Sequence, residues 1–280
     1  MKFGLQNLDK ELFKKFRDFI HRETGIYLKE SKIVLLSNRL RKRVKALRLN
    51  SFYEYWEYLK DHPEEKEKLI DVVTTNETHF FRNPEHFRTL SDHVIPALTK
   101  HYGRTLLRIW SAAAASGEEP YSIAITLMEN HPNQPFYLLA TDISEEMLQR
   151  AKKGAYTEKR LREVPPEIKN KYFEKAPAEN GTLYIIKDSV KRKVVFRKHN
   201  LLTPPPENGW HIVFCRNVLI YFDRETQQKV LDLVYRSMKE YSFLFLGHAE
   251  TTYGLYEKFK PMRMGKTFVY LKEEKPCWRI

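Results

Sequence analysis

Apolar residues recur at helical spacing through residues 1–75. One stripe covers residues 12–20 and ends before Gly25, and a second covers residues 33–47. Residues 51–63 contain a capping box, Ser-Phe-Tyr-Glu, and an Asp-His-Pro sequence, which open two further helices. This spacing is typical of amphipathic helices. We therefore predict a helical N-terminal domain over residues 1–75.

The pattern changes after residue 102, where short apolar runs begin to alternate with helical stripes. Such alternation is typical of an α/β domain with a parallel sheet. We predict a connector and linker helix over residues 76–102 and the α/β domain over residues 103–280. The predicted strands lie at residues 106–110, 136–141, 211–215, 243–247 and 267–271, and the predicted helices lie at residues 120–128 and from Ser144 onward.

One block interrupts this alternation. Residues 183–187 and 194–197 are β-rich runs joined by Asp-Ser-Val-Lys-Arg-Lys. Two such runs with a short polar connection favour an antiparallel hairpin. We predict a small β subdomain at about residues 176–199, inserted in the α/β domain.

Ligands of an open parallel sheet bind at the carboxyl ends of its strands. The first predicted strand is followed by Ser-Ala-Ala-Ala-Ala-Ser-Gly-Glu-Glu-Pro, residues 111–120, and Asp142 ends the second strand. Small side chains let a ligand approach the backbone, and an acid at the end of the second strand accepts hydrogen bonds from a ribose. Tight strand-helix packing explains the loop equally well, and a helix N-cap explains Asp142. The loop has neither the G-x-G-x-x-G nor the Walker A sequence.

The segment before the first strand is unusually polar and aromatic. Residues 74–84 read Thr-Thr-Asn-Glu-Thr-His-Phe-Phe-Arg-Asn-Pro, and the final Asn-Pro pair is typical of a helix start. A loop that only connects two elements does not require this many hydrogen-bonding side chains together with two phenylalanines and an arginine.

Composition and charge restrict the compartment and the partners that we expect for this protein. A hydrophobic fraction of 42% is enough to bury a core, and neither an export signal nor an apolar run of membrane-spanning length is visible in the sequence. Cys215 and Cys277 show no zinc or disulfide spacing, so we expect a reducing cytoplasm. The net charge is +13, with 14 Lys/Arg against 5 Asp/Glu in residues 1–50. Charge alone does not decide between nucleic acid, a membrane surface and an acidic protein as partner.

Four motifs in order resemble those of one family. They are the segment 74–82, Trp-Ser-Ala-Ala-Ala-Ala-Ser-Gly-Glu-Glu-Pro-Tyr-Ser at 110–122, Ala-Thr-Asp-Ile at 140–143, and Phe-Cys-Arg-Asn-Val-Leu-Ile-Tyr-Phe at 214–222. Together they look like the chemotaxis receptor methyltransferases. The likeness spans nearly the whole chain, and Ala249 stands where serine is common in the family's Gly-His-Ser-Glu sequence.

The resemblance implies a Rossmann-like methyltransferase sheet and a reaction. The family transfers a methyl group from S-adenosylmethionine (SAM) to glutamate side chains on chemoreceptor cytoplasmic domains, leaving S-adenosylhomocysteine (SAH). It implies a monomer in the cytoplasm, recruited to membrane receptor arrays, without nucleic acid or membrane insertion. An ionised glutamate needs no general base, so the ten histidines include no expected catalyst and no metal site is expected.

The resemblance also assigns roles residue by residue. Asp142 would take the ribose, and Arg82 and Tyr221 would orient the acceptor carboxylate. For Phe80 and Phe81 we expect, apart from the resemblance, interdomain packing. The implied cofactor-binding residues are Asn76, Thr78, Arg82, Glu119, Asp142, Asn200, Leu201, Arg216 and Asn217; the implied catalytic residues are Arg82, Arg216 and Tyr221; the candidate substrate-binding residues are Arg39, Lys42 and Arg43.

Two other functions stay open at this point. One is a methyltransferase that acts on RNA or another partner of the basic surface, although the segment after the predicted strand at 211–215 lacks the Asn/Asp-Pro-Pro-Tyr/Phe sequence of amino-group methylation. The other is a non-catalytic module that keeps the cofactor pocket for protein recognition. A methylation assay separates all three.

Overall fold

A computed structural model describes residues 6–179 and 181–273; Cys277 lies outside these residues. The N-terminal part is the predicted helical bundle, with α1 at Lys10–Thr24, α2 at Ile33–Ala46, α3 at Phe52–Asp61 and α4 at Glu65–Val73.

Its helix ends follow the sequence signals. The Asp9 carboxylate accepts a hydrogen bond from the Leu12 amide at the start of α1, and Gly25 ends that helix with φ 76°. Ser51 caps α3 by accepting from the Glu54 amide, as the capping box predicts. The helices enclose a core of Leu12, Phe13, Phe16, Ile20, Leu36, Leu40, Val44, Tyr55, Leu59, Leu69 and Val73.

A helical linker joins the bundle to the sheet. Pro84 occupies the first position of α5 (Pro84–Thr89), as the Asn-Pro pair predicts, and a π-helical turn at Leu90–Val94 leads into α6 (Ile95–Tyr102). Gly103 then takes a positive φ of 70°. Phe87, Leu90, Val94 and Leu98 are buried against the sheet.

The large sheet of the described chain has seven strands. The strands are β1 at Leu107–Ser111, β2 at Phe136–Asp142, β6 at Val194–Lys198, β7 at Trp210–Cys215, β8 at Met238–Leu246, β9 at Lys260–Met264 and β10 at Thr267–Lys272. Their order is β6-β2-β1-β7-β8-β10-β9. The first five are mutually parallel, and β10 pairs antiparallel with both of its neighbours. The predicted α/β class with a parallel sheet is confirmed.

Helices cover both faces of this sheet. They are α7 at Glu118–Asn130, α8 at Glu145–Lys153 and α11 at Arg224–Ser237. One apolar cluster joins α7 to one face and another joins α11 to the opposite face. None of the helices in residues 6–179 and 181–273 is both long and apolar enough to cross a bilayer.

The predicted antiparallel hairpin is wrong. Residues 194–198 form β6, which pairs in parallel with β2 at the edge of the large sheet. Residues 181–186 form β5, which lies between β3 (Ala155–Thr157) and β4 (Phe173–Ala178) in a separate antiparallel sheet. The four-residue helix α10 (Asp188–Lys191) separates the two runs, and α9 (Pro166–Tyr172) precedes β4. Alternation of apolar residues shows that a segment is a strand but does not identify its partner.

The small sheet therefore begins earlier in the chain than residue 176 and ends before β6. The domain divisions at residues 75/76 and 102/103 stay predictions.

Candidate active site

A cleft opens where the parallel strands end. The chain segments that follow β1, β2, β6 and β7 surround it, which is the position expected for a ligand of an open α/β sheet. The cleft encloses about 940 Å³, part of it open to solvent.

The cleft brings together all the residues that the sequence assigned to cofactor and catalysis. They are Asn76, Thr78, Arg82, Glu119, Asp142, Asn200, Leu201, Arg216, Asn217 and Tyr221. Their individual contacts with a cofactor or an acceptor stay predictions.

Asp142 is a buried acid at the end of β2. Its Oδ2 accepts a hydrogen bond of 2.8 Å from the Ala115 amide, and its Oδ1 accepts one of 2.9 Å from the Ser144 amide. Burial raises the pKa of Asp142, and the backbone donors act against that rise. The N-cap of α8 is the side chain of Ser144, which accepts from the Met147 amide. Asp142 thus fixes the loop after β1 while facing the cleft.

The small-residue loop serves two purposes. Ala112, Ala113 and Ala115 line the cleft. Gly117 instead packs against α8, because a Cβ at this position would lie 2.8 Å from the Cβ of Ala151, and its φ of 94° is left-handed. The packing explanation therefore holds for Gly117, and the close approach of a ligand to the three alanines stays a prediction.

Arg216 and Glu119 form a buried ion pair on the cleft wall. Nη1 of Arg216 lies 3.0 Å from Oε2 of Glu119, and the two side chains are 1% and 12% exposed. The Ser111 hydroxyl donates to Glu119 Oε1 at 2.8 Å. Burial raises the pKa of Glu119, whereas Arg216 and Ser111 lower it. The pair places one carboxylate and one guanidinium, both desolvated, beside the ligand space.

Arg216 also holds the connector. Its Nη2 donates to the carbonyl of Arg82 and to Oδ1 of Asn83, both at 2.7 Å. Asn83 has a left-handed φ of 62°, as does Phe81 with 55°. Arg216, which follows β7, thereby fixes the backbone of Arg82, the residue that the sequence analysis assigns to the reaction centre.

Further contacts fix the connector on its other side. The Phe80 amide donates to the Arg160 carbonyl at 3.0 Å, and the Arg160 guanidinium donates to the Thr78 carbonyl. The Phe80 ring is fully buried and packs edge-on against Tyr156 and Phe173 of the small sheet. The expected packing role of Phe80 is confirmed.

Arg82 itself is half-buried at the cleft. Its Nη1 donates to the Glu77 carbonyl at 2.7 Å. A guanidinium has five N–H groups, so this bond engages a minority of its donors.

The segment after β6 contains a residue that the sequence reasoning missed. His199 lines the cleft, and burial lowers its pKa to about 4, which keeps the imidazole neutral at physiological pH. The neighbouring Asn200 uses its side chain to donate to the Glu23 carbonyl and to accept from the Leu202 amide. Had residues 194–198 been recognised as a parallel strand, His199 would have been expected at the ligand edge.

The helical bundle contributes to the cleft as well. Thr24 and Ile26 line it, and neither was expected. Ile26 forms an isolated antiparallel bridge with Phe222, and the Tyr27 amide donates to the Tyr221 carbonyl at 2.8 Å. The loop that carries Tyr221 is therefore held by both parts of the chain.

The three candidate substrate-binding residues on α2 lie outside the cleft lining. Arg39 donates to the Val73 carbonyl and to the Thr75 hydroxyl, next to the connector. Lys42 is exposed. Arg43 makes a two-pronged ion pair with the buried Glu65, at 2.7 and 2.8 Å. The guanidinium of Arg43 is thus bound within the bundle.

The residues of the cleft fit a nucleoside cofactor. Within residues 6–179 and 181–273, Nε2 of His199 and Nε of Arg216 are buried and have no hydrogen-bond partner, and both residues line the cleft. Buried polar groups are normally bonded, so both nitrogens suit contacts with a polar ligand. The same part of the chain contains no cluster of three or more His, Cys, Asp or Glu side chains that would hold a metal.

In the large sheet the antiparallel strand β10 lies between β8 and the edge strand β9. The cleft is lined by an acid, Asp142, at the end of β2. Together these features define a Rossmann-like SAM-dependent methyltransferase. The family model described as "CheR methyltransferase, SAM binding domain" matches residues 76–268, and "CheR methyltransferase, all-alpha domain" matches residues 11–74. The chain belongs to the CheR methyltransferase family.

Relatives from three bacteria are similar over nearly their whole length. Chemotaxis protein methyltransferase 2 of Pseudomonas aeruginosa is 39% identical over 258 residues, which cover 89% of this chain and 90% of the relative. The chemotaxis protein methyltransferase of Borreliella burgdorferi is 35% identical, with coverages of 90% and 93%. The Escherichia coli (strain K12) chemotaxis protein methyltransferase is 34% identical, with coverages of 88% and 86%.

Proposed function

We propose that this protein transfers the methyl group of SAM to glutamate side chains of chemoreceptor cytoplasmic domains, releasing SAH. The observation that carries the proposal is the single cleft in which Asp142, the Arg216–Glu119 pair, Arg82 and Tyr221 meet. The names of the relatives, all chemotaxis methyltransferases, support the acceptor class. We place the protein in the cytoplasm, as a monomer recruited to receptor arrays.

The bound cofactor supplies a methyl group activated by a positively charged sulfur. Asp142 would hold the ribose, and His199, Asn200 and Leu201 would form the wall beside the adenine. A glutamate side chain, with an ordinary pKa near 4.3, is already ionised at neutral pH and needs no general base. The protein's task is to orient this carboxylate and exclude water from it.

Arg82 and Tyr221 are the groups we assign to orientation. A planar guanidinium presents parallel N–H groups that match a carboxylate, which a lysine ammonium does not. Because too strong a pair with the ground-state carboxylate would slow transfer, Arg82 orients the acceptor more than it neutralises it.

The histidines near the motifs have structural partners. Burial lowers the pKa of His211 to about 4, and its Nδ1 accepts from the Arg108 amide. Burial and the neighbouring Arg162 lower the pKa of His79. Neither is suited to act as a base on the acceptor, in agreement with a reaction that needs none.

The exposed face of α2 would meet the acidic helices of a receptor. Lys42 is exposed and available for contacts outside the bundle, whereas Arg39, whose guanidinium bonds the Val73 carbonyl and the Thr75 hydroxyl, would act next to the connector. Arg43 would act indirectly, because its ion pair with Glu65 ties α2 to α4. RNA methylation and a purely non-catalytic role are not favoured by the family match.

The test is transfer of radiolabelled methyl from SAM to a receptor signalling fragment, to bulk RNA, or to no acceptor. We expect label only on the fragment, as base-labile glutamyl ester. We expect Arg82→Ala to lower turnover at least about tenfold, Arg82→Lys to recover it partly, and the control Arg88→Ala to leave it unchanged. Arg88 is exposed and pairs with Glu85. Label on RNA, or no label on the fragment, would refute the proposed function, and unchanged turnover in Arg82→Ala would refute the role of Arg82.

A further inference from the structure

Glu250 ends the Gly-His-Ala-Glu segment that follows β8, and its carboxylate accepts hydrogen bonds from five backbone amides. The side chain is buried, at 9% exposure. Oε2 accepts from the amides of Gly247 at 2.6 Å and Asn217 at 2.7 Å. Oε1 accepts from the amides of Val218 at 2.9 Å, Leu219 at 2.8 Å and Ile220 at 3.3 Å.

Four of these five amides belong to one loop. Residues 217–220 leave the carboxyl end of β7 and lead directly to Tyr221. The amides converge because Asn217 adopts a left-handed φ of 58°, which turns the chain into a 3-10 segment. Convergent buried N–H groups form a binding site for an anion, and here the anion is a side chain of the neighbouring strand's loop.

Gly247 is needed for this arrangement. A Cβ at this position would lie 2.6 Å from Nδ2 of Asn217 and 2.7 Å from Oε2 of Glu250. Any side chain there would displace either the loop or the carboxylate. The first and last residues of the Gly-His-Ala-Glu sequence therefore have one joint structural purpose.

We infer that Glu250 is a positioning residue for methyl transfer, which fixes the loop of Asn217 and Tyr221 through four backbone bonds to that loop. In the described chain it lies behind this loop, outside the residues that line the cleft. The inference rests on the proposed function, because Tyr221 matters only if the loop orients an acceptor.

Arg216 precedes the loop and is held differently. Its side chain is fixed by Glu119, the Arg82 carbonyl and Asn83. Loss of Glu250 should therefore disturb Tyr221 more than Arg216 and the cofactor wall. This difference separates a positioning role from a general loss of stability.

The test uses Glu250→Gln, which keeps the shape but replaces one acceptor oxygen by an NH₂ group that faces backbone donors. We expect turnover on a receptor fragment to fall about tenfold to 100-fold, since small misplacements at a reaction centre have effects of this size. We expect SAH affinity to fall by a smaller factor than turnover, because Arg216 keeps its partners and Asn217 is one of nine residues assigned to the cofactor.

Glu207→Gln is the matched control. Glu207 precedes the N-terminal end of β7, at the sheet edge opposite the cleft, and pairs with Arg108. Gly247→Ala is the second variant, in case Glu250→Gln does not fold, because it displaces the carboxylate without removing it. Glu250→Gln and Gly247→Ala should both lower turnover, and Glu207→Gln should not. Each variant is assayed well below its own melting temperature.

Turnover within about twofold of wild type in folded Glu250→Gln or Gly247→Ala would overturn the positioning role, as would an equal loss in Glu207→Gln. A wild-type protein that binds SAH but methylates no receptor fragment would instead refute the proposed function. The two failures are therefore distinguishable.

Discussion

Removing the guanidinium of Arg216 should destabilise the protein strongly and in a pH-dependent way. Arg216→Met deletes the 3.0 Å ion pair with Glu119 and the two 2.7 Å bonds to the connector. Glu119 then stays buried without its ion-pair partner, and of the two contacts described above it keeps the hydrogen bond from the Ser111 hydroxyl. Breaking a buried pair in this way costs about 3–5 kcal/mol. That is a large fraction of a typical unfolding free energy of about 5–15 kcal/mol.

The pH dependence follows from Glu119. Burial already raises its pKa in the folded protein, and removing Arg216 raises the pKa further. A group with a raised folded-state pKa stabilises the fold at low pH and loses that contribution as pH rises through the folded pKa. The deficit of Arg216→Met against wild type should therefore be larger at pH 8 than at pH 5, which lies close to the ordinary pKa of a glutamate.

Urea unfolding without cofactor, at both pH values, measures this deficit. Arg88→Met is the control, because its pair with Glu85 is exposed and contributes about 1 kcal/mol or less. Adding Glu119→Gln to Arg216→Met should recover part of the loss. A deficit at pH 8 no larger than that of Arg88→Met, or one independent of pH, would refute the description of the pair as buried and coupled.

Three further substitutions have defined outcomes. Asp142→Asn should weaken SAH binding about tenfold or more by calorimetry, since a charge-assisted hydrogen bond is replaced by a neutral contact; unchanged affinity would remove Asp142 from the cofactor site. Arg160→Ala should speed amide hydrogen exchange across residues 77–82, because it deletes a bond to the connector; equal exchange would show that the connector does not depend on it. Gly117→Ala should lower stability by about 1–3 kcal/mol in urea unfolding, since its Cβ would lie 2.8 Å from that of Ala151; a neutral effect would contradict this close packing.

Local signals predicted much of the fold. The stripe of residues 12–20, its stop at Gly25 and the capping box at Ser51 all correspond to observed helix features. Helical spacing and capping depend on residues close in sequence, so they can be recognised without tertiary information. The buried parallel strands are continuous apolar runs, which also stand out locally.

Edge strands and strand partners were not predictable in this way. The edge strands β3, β4 and β9 were missed: β3 has only three residues, and β4 and β9 each contain a proline, Pro177 and Pro261. Proline is confined to strand edges because it cannot donate to the ladder, and it weakens the strand signal in the sequence. The pairing of β6 with β2 depends on a contact that no local pattern encodes.

The residues of the site also differ in whether local sequence could identify them. Asp142 was found because the end of the second strand has a fixed meaning in an α/β sheet. Arg160 and Glu250 were not assigned a role, since each acts through backbone groups distant in sequence. The interaction of Ile26 with Phe222 likewise requires the bundle to be docked on the sheet.

The central claim is that the cofactor binds in the cleft at the carboxyl edge of the sheet, beneath the connector. Amide hydrogen exchange of the wild-type protein with and without SAH tests it directly. We expect slower exchange with SAH in residues 74–82, 111–117, 199–201 and 216–221. Unchanged exchange in these segments at saturating SAH, or protection confined to other parts of the chain, would contradict the account.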